Sequence, residues 1–115
     1  DFIMASSYVK DVSSGKVKIH YFPTEELEGK DILLVDDIID TGISLKIIQD
    51  RILAMNPASL RICVFLDKAE RRVVDVHVDY VGFKIPNKFV VGYGLDYHEM
   101  FRNLPYITVF KKELK

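Results

Sequence analysis

The run of residues 33–45, LLVDDIIDTGISL, constrains the fold more than any other part of the chain. The carboxylates of Asp36, Asp37 and Asp40 lie in one of its most apolar stretches, and a threonine, a glycine and a serine follow them. Because carboxylates are costly to bury without partners, they are usually solvated, paired or bound to a ligand. The run therefore predicts an apolar element that ends at an exposed or ligand-binding position.

A β-α-β unit is predicted around this run. The continuous apolar character of residues 31–35 favours a parallel strand covered on both faces. After the acidic residues, apolar side chains recur at helical spacing until the Asn-Pro pair at 56–57 ends the helix. These apolar positions are Leu45, Ile48, Ile52 and Met55. A second strand at 60–66 should run parallel to the first, with a right-handed crossover.

The remaining pattern predicts short strands and turns. Residues 2–6 and 17–22 favour a long hairpin, whose polar tip around 11–16 is expected to be mobile. Further strands are predicted at 80–83, 90–93 and 107–110, with a helical turn at 97–102. We find no internal repeat and no linker, so residues 1–115 are expected to form a single α/β domain.

Composition excludes several functional classes. With a net charge of −1 and mixed acidic and basic residues, the chain has no basic stripe of the kind that binds nucleic acid. No apolar run approaches the roughly 20 residues of a membrane span. The single cysteine, Cys63, lies in the strand-like LRICVFL and favours a reduced, buried core thiol over a catalytic one. We therefore expect a soluble, cytoplasmic protein.

The acidic run also predicts an anion site. Open α/β sheets bind ligands at the carboxyl ends of their strands, and the acids follow such a strand. Thr41, Gly42 and Ser44 provide hydroxyls and a flexible backbone beside the positive end of a helix dipole. A phosphate suits this position, and neighbouring carboxylates suit a polyol or hydrated Mg²⁺. The simpler alternative is a helix cap followed by a solvated acidic loop.

Three stretches together carry a family resemblance. LLVDDIIDTGISL resembles the phosphoribosyl pyrophosphate motif of type I phosphoribosyltransferases. FLDKAERR at 65–72 and VDYVGFKIPNKFVVGYGLDYHEMFRNLPYI at 78–107 resemble the base-contacting strand end and purine-binding hood of the bacterial hypoxanthine-guanine members. The resemblance implies a mostly parallel sheet flanked by helices, with a core at about 1–83 and a small hood at about 84–115. It also implies an upstream segment with a pyrophosphate-binding loop, so the fold is expected to be incomplete at its N-terminus. The chain is then either a fragment of a longer enzyme or a short relative of the family.

The resemblance assigns roles to individual residues. The residues that match the phosphate- and ribose-binding positions are Asp36, Asp37, Asp40, Thr41, Gly42, Ile43 and Ser44. Asp36 stands where the family commonly has Glu, and Asp40 matches the general base that faces purine N7. The residues that match the purine-binding positions are Ile38, Lys68, Phe89 and Val90.

Further matches concern the leaving group, the metal and a lid. Arg102 matches a cation that faces pyrophosphate, and Asp96 matches a carboxylate that reaches a second Mg²⁺, with Asp36 and Asp37 at the first. Ser7 and Tyr8 begin what resembles the mobile loop that excludes water from the site.

The resemblance implies a purine salvage enzyme that makes IMP or GMP from hypoxanthine or guanine and phosphoribosyl pyrophosphate with Mg²⁺. The alternative is a non-catalytic module of the same fold that senses phosphoribosyl pyrophosphate or nucleotide. The purine-binding matches favour the enzyme. Family members imply a homodimer or homotetramer, and preference among hypoxanthine, guanine and xanthine is left open.

Overall fold

A computed structural model describes residues 1–7, 17–23 and 26–111. The chain divides into two compact units, Asp1–Ile85 and Pro86–Lys115, which we describe separately. Among the described residues, no helix has the length and apolar content needed to cross a membrane.

The first unit begins with the predicted hairpin. Strands β1 (Met4–Ser7) and β2 (Val17–Tyr21) pair antiparallel, with Ser7 opposite Val17. The expected mobile tip and Tyr8 lie outside the described residues.

A three-stranded parallel sheet follows, in the order β3 (Asp31–Ile39), β4 (Ser59–Asp67) and β5 (Tyr80–Lys84). The predicted parallel β-α-β unit is confirmed. Strand β3 extends four residues beyond its predicted end. Its last residues continue to pair with β4, as far as Ile39 opposite Asp67. Asp36 and Asp37 therefore lie within the strand, and only Asp40 begins the loop that was predicted to hold all three acids.

Helix α1 (Ile43–Leu53) connects β3 to β4. Its buried residues, Leu45 and Ile52, are two of the positions that the helical spacing identified. Met55 lies beyond the helix, because the backbone turns at 54–55 and Asn56 adopts a positive φ of 55°. A short 3₁₀ helix at Ala69–Arg71, which the pattern did not predict, follows β4.

The core lies mainly on the face of the sheet that carries Leu34, Ile62 and Val64. Its buried apolar side chains come from β3, α1, β4 and the segment before β5, and they are Ile39, Leu45, Ile62, Val64 and Val76. Leu34, Val74 and Val78 pack against this cluster.

The opposite face carries exposed apolar side chains. Val35, Cys63 and Tyr80 are register partners across the three strands and so share one face. Val35 is 66% exposed and Tyr80 48%, while Cys63 is half-buried rather than buried as predicted. The prediction that β3 is covered on both faces is therefore wrong for the described part of the chain.

The second unit contains a short antiparallel pair, β6 (Val90–Val91) and β7 (Thr108–Val109). Both strands are shorter than predicted. Strand β6 ends because Gly92 and Tyr93 adopt positive φ values of 102° and 53°, which do not continue a strand.

A tight hairpin replaces the predicted helical turn at 97–102. Tyr97 and Met100 exchange two backbone hydrogen bonds of 3.0 and 2.9 Å. The two residues between them, His98 and Glu99, have φ values of 48° and 64°. Positive φ at both central positions defines a type I′ turn, which closes antiparallel strands rather than a helix.

Candidate functional site

The loop between β3 and α1 curls at Gly42, which is buried and has a φ of 86°. The hydroxyl of Thr41 accepts the backbone N–H of Ile43 at 3.4 Å, and Gly42 O accepts the N–H of Lys46 at 2.9 Å. A non-glycine residue would be strained at this φ, so the local sequence Thr-Gly sets the start of the helix.

The beginning of α1 suits an anion. The first backbone N–H groups of any helix have no intrahelical partner, and they form the positive end of its dipole. The first turn of α1 contains no acidic residue, and glycine at the N-cap has no side chain to cap the helix. The protein itself thus places no carboxylate on this first turn, where phosphates commonly bind.

A small open cavity of about 190 Å³ lies at this loop. It brings together most of the residues that were matched to phosphate and ribose binding. The residues that line it are Asp36, Ile38, Ile39, Asp40, Thr41, Gly42, Ser44 and Leu45. Ile43 lies in the same loop as the first residue of α1, while Asp37 does not line the cavity.

The two adjacent acids of β3 interact with each other. Asp36 Oδ1 accepts the backbone N–H of Asp37 at 2.8 Å, and Asp37 Oδ1 accepts that of Ile38 at 2.7 Å. Burial of the carboxyl, followed by the side-chain hydrogen bond and the charge of Asp37, raises the pKa of Asp36 to about 6. The backbone bond acts in the opposite direction but is outweighed. A carboxyl with a raised pKa beside a second carboxylate favours a ligand that supplies hydroxyl donors or a cation.

The strand end after β4 places a lysine beside the loop. Lys68 is only 7% exposed, so it is not the solvated surface lysine that its residue type alone favours. Its backbone N–H donates to Ile39 O at 3.0 Å, which ties the end of β4 to the end of β3. Asp67 before it is also buried and forms an ion pair with Arg72.

Arg72 also covers the loop glycine. A Cβ built on Gly42 would lie 2.8 Å from Arg72 Cδ and 3.3 Å from Val74 Cγ2. Arg72 Nε donates to the carbonyl of Asp40 at 3.2 Å, and Arg71 Nε donates to Asp40 Oδ1 at 2.8 Å. Both arginines were missed as site residues, although their basic pair stands in the FLDKAERR stretch.

The second unit holds the remaining predicted residues. Phe89 is 51% exposed and contacts Tyr97 and Phe110 edge to face, with ring centroids 5.9 and 6.2 Å apart. Val90 begins β6 next to it. Asp96 and Arg102, matched to metal and pyrophosphate, face each other at 3.4 Å.

A metal site is only partly built from protein groups. Within residues 1–7, 17–23 and 26–111, no cluster of three or more His, Cys, Asp or Glu side chains is placed to hold a metal ion. Mg²⁺ commonly uses one or two carboxylates together with substrate phosphates, so the neighbouring carboxylates of Asp36 and Asp37 fit such an ion.

A larger cavity of about 670 Å³ lies between the N-terminal strand, β3 and α1. Its lining is mainly apolar and includes Phe2, Ile3, Leu33, Ile48 and Ile52. It lacks the loop hydroxyls and glycine of the smaller cavity except for Ser44, so we assign the chemistry to the smaller one.

The sequence and fold are similar to those of known proteins. A family model described as the phosphoribosyl transferase domain matches residues 1–98. A hypoxanthine-guanine phosphoribosyltransferase of Aquifex aeolicus is 54% identical over 106 residues, which cover 91% of this chain and 60% of the relative. One of Streptococcus pneumoniae is 50% identical over 115 residues, with coverages of 99% and 64%. The chain thus spans less than two thirds of the length of these relatives.

A solved structure shows the same fold. A hypoxanthine-guanine phosphoribosyltransferase from Bacillus anthracis, crystallised with HEPES in its active site, superposes with a TM-score of 0.89 at 45% identity. The match covers 96% of this chain and 66% of that one.

Proposed function

This chain belongs to the phosphoribosyl transferase domain family, and on that premise we propose that it acts in purine salvage. The reaction moves the 5-phosphoribosyl group from phosphoribosyl pyrophosphate to hypoxanthine or guanine and gives IMP or GMP with release of pyrophosphate. The observation that carries this proposal is the curled loop between β3 and α1, which joins a helix N-terminus to three carboxylates. Relatives named for this activity at 50–54% identity support it.

The loop would hold the 5′-phosphate. Backbone N–H groups at the start of α1 and the hydroxyls of Thr41 and Ser44 can donate to phosphate oxygens, and the helix dipole favours the negative charge. Gly42 lets the backbone curl so that successive N–H groups converge on one anion.

The acidic pair would hold the ribose and the metal. Asp36 and Asp37 can accept hydrogen bonds from the 2′- and 3′-hydroxyls, and they are the residues that would hold one Mg²⁺, with Asp96 holding a second. When bound, Mg²⁺ neutralises charge on the leaving pyrophosphate. Arg102 would add a fixed positive charge for the same group.

The purine would be recognised by contacts of a different kind. Lys68 can donate a charge-assisted hydrogen bond to the 6-oxo group, which hypoxanthine and guanine share and adenine lacks. In the first unit, Ile38 is proposed to contact the base. In the second unit, Phe89 is proposed to stack on the base, and backbone groups of Val90 are proposed to contact its 2-position.

Asp40 would act as the general base. It lies at the end of β3 on the rim of the small cavity, between the acidic pair and the phosphate loop. In nucleotide synthesis its carboxylate accepts the proton from purine N7 as the bond from N9 to the ribose forms and pyrophosphate leaves, and it returns the proton in the reverse direction.

The same fold could instead bind phosphoribosyl pyrophosphate or nucleotide without catalysis. The buried position of Lys68 beside the loop argues against a module that binds only phosphoribosyl pyrophosphate, because such a module has no use for a donor to the 6-oxo group. A module that senses IMP or GMP would keep this donor, so the transfer assay decides between it and the enzyme. We place the enzyme in the cytoplasm as a homodimer or homotetramer.

A transfer assay on the full-length protein tests the proposal. With Mg²⁺ and phosphoribosyl pyrophosphate, we expect turnover of hypoxanthine or guanine and none of adenine, which lacks the 6-oxo group. Tight binding of IMP or GMP without any turnover would support the sensor and refute the enzyme.

A further inference from the structure

The segment 68–73 binds back onto the end of β3 through its backbone. The N–H of Lys68 donates to Ile39 O, and the N–H of Val73 donates to Thr41 O, both at 3.0 Å. These two bonds flank the single residue between them, Asp40. The segment therefore runs alongside the loop and presents its own side chains to that residue.

Two of those side chains hold Asp40. Arg72 Nε donates to the backbone carbonyl of Asp40 at 3.2 Å, and Arg71 Nε donates to its carboxylate oxygen Oδ1 at 2.8 Å. The Arg72 contact fixes the backbone of Asp40, whereas the Arg71 contact fixes its side chain.

We infer that Arg71 is a positioning residue that aims the carboxylate of Asp40 at the purine. This inference rests on the proposed function, in which Asp40 accepts the N7 proton. A carboxylate at the start of a loop can rotate about two side-chain bonds, and proton transfer requires one orientation within hydrogen-bond reach. The planar, permanently charged guanidinium of Arg71 holds one oxygen and so restricts both rotations.

The contact contributes little to folding, which makes it testable. The side chains of Arg71 and Asp40 are 47% and 43% exposed, and exposed ion pairs change stability only slightly. Replacing Arg71 with glutamine should therefore leave the protein folded while releasing the carboxylate.

The first experiment measures steady-state kinetics of R71Q in the full-length protein. We expect kcat to fall about tenfold, because misplacement by about 1 Å can cost up to about a hundredfold and loss of one orienting contact should displace the carboxylate by less. The KM values for hypoxanthine and phosphoribosyl pyrophosphate should stay within about twofold, since Arg71 contacts Asp40 and holds no substrate. R71K, which retains a donor and the charge, should recover part of the loss.

A double-mutant cycle then asks whether Arg71 acts through Asp40. In the D40N background, R71Q should cause no further loss of kcat, because the group it positions is already disabled. R51Q is the matched control, since Arg51 is exposed on α1 and contacts the ring of Phe22 rather than the loop. Equal losses of kcat from R71Q in both backgrounds, or a loss confined to KM, would overturn the inference.

The wild type, R71Q, D40N and the double variant also give a readout that does not depend on turnover. In urea unfolding, the pair should show a coupling of about twofold to fivefold in the unfolding constant, the range for exposed ion pairs. Additive effects on unfolding would overturn the contact itself. A protein with a coupled pair but no phosphoribosyl transfer would refute the proposed function while supporting the pairing.

Discussion

Asp36 carries a carboxyl whose pKa is raised from 3.8 to about 6, chiefly by burial and then by Asp37. Because the folded chain binds this proton more tightly than the unfolded chain, protonation stabilises the fold. That stabilisation is complete below the unfolded value of 3.8 and is lost as the pH rises through about 6. At neutral pH the ionised Asp36 therefore costs stability in the absence of ligand.

Replacing Asp36 with asparagine should remove this cost. We expect D36N to raise the free energy of unfolding by about 1 kcal/mol at about pH 8 and to leave it unchanged at about pH 3, where Asp36 is protonated in both the folded and the unfolded chain. The figure is below the full conversion of the pKa shift because Asp36 is only partly shielded from solvent. Urea unfolding without ligand measures the effect, with D75N at the exposed Asp75 as control. A gain that is equal at both pH values would show that ionisation of Asp36 is not its source.

Lys68 is expected to contribute to binding of the purine and not of phosphoribosyl pyrophosphate. K68A should raise KM for hypoxanthine by removing a charge-assisted hydrogen bond of roughly 1.5–3 kcal/mol, while KM for phosphoribosyl pyrophosphate stays nearly unchanged. Steady-state kinetics with each substrate varied in turn gives both values. K84A at the exposed end of β5 is the control. Equal losses for the two substrates would identify a structural lysine.

The start of helix α1 depends on Gly42. An alanine there meets Arg72 Cδ at 2.8 Å and also adopts a φ of 86°, a conformation that costs about 1–2 kcal/mol for an L residue. Gly29 is the matched control, because its φ is 73° and nothing lies within 4 Å of its Cβ position. We expect G42A to lower the unfolding free energy more than G29A, as measured by thermal or urea unfolding. Equal losses would show that the contact with Arg72 has no energetic effect.

The β-α-β unit was predictable because its signals are local. Leu45 and Ile52 recur at helical spacing and are buried, as the pattern indicated. The end of β3 was not predictable, since Ile39 stays in the strand only through its pairing with Asp67 on β4. Likewise, the type I′ turn at His98 and Glu99 requires positive φ at two residues that are not glycine, and no sequence rule selects it.

The candidate site, like the fold, was predictable from the sequence only in part. The loop residues at 40–44 are contiguous, so their grouping could be predicted from the motif. Arg71 and Arg72 reach Asp40 from 31 and 32 positions away, a contact that exists only once β4 has paired with β3. Their basic pair gave no indication of this partner, because a pair of arginines after a strand is usually solvated.

The sheet face that carries exposed apolar side chains should cause association between chains. Leu33, Val35 and Phe65 are 56%, 66% and 39% exposed, and exposed apolar patches on a sheet favour contact with another chain. Residues 1–115 expressed on their own should therefore self-associate in sedimentation velocity. V35K should shift the population toward monomer, while V73K, at an equally exposed valine outside the sheet, should not. A monodisperse wild-type monomer would contradict this expectation.

We propose above that Asp40 acts as the base in phosphoribosyl transfer to a 6-oxopurine. The most direct measurement is kcat for IMP formation by D40N in the full-length protein, together with its affinity for IMP. D50N, at an exposed aspartate of α1 that pairs with Lys46, is the control. We predict that D40N lowers kcat by roughly 10²–10⁴, the range for a lost general base, while IMP affinity and the D50N rate stay close to wild type. Turnover by D40N within a few-fold of wild type would contradict the claim and remove Asp40 from that role.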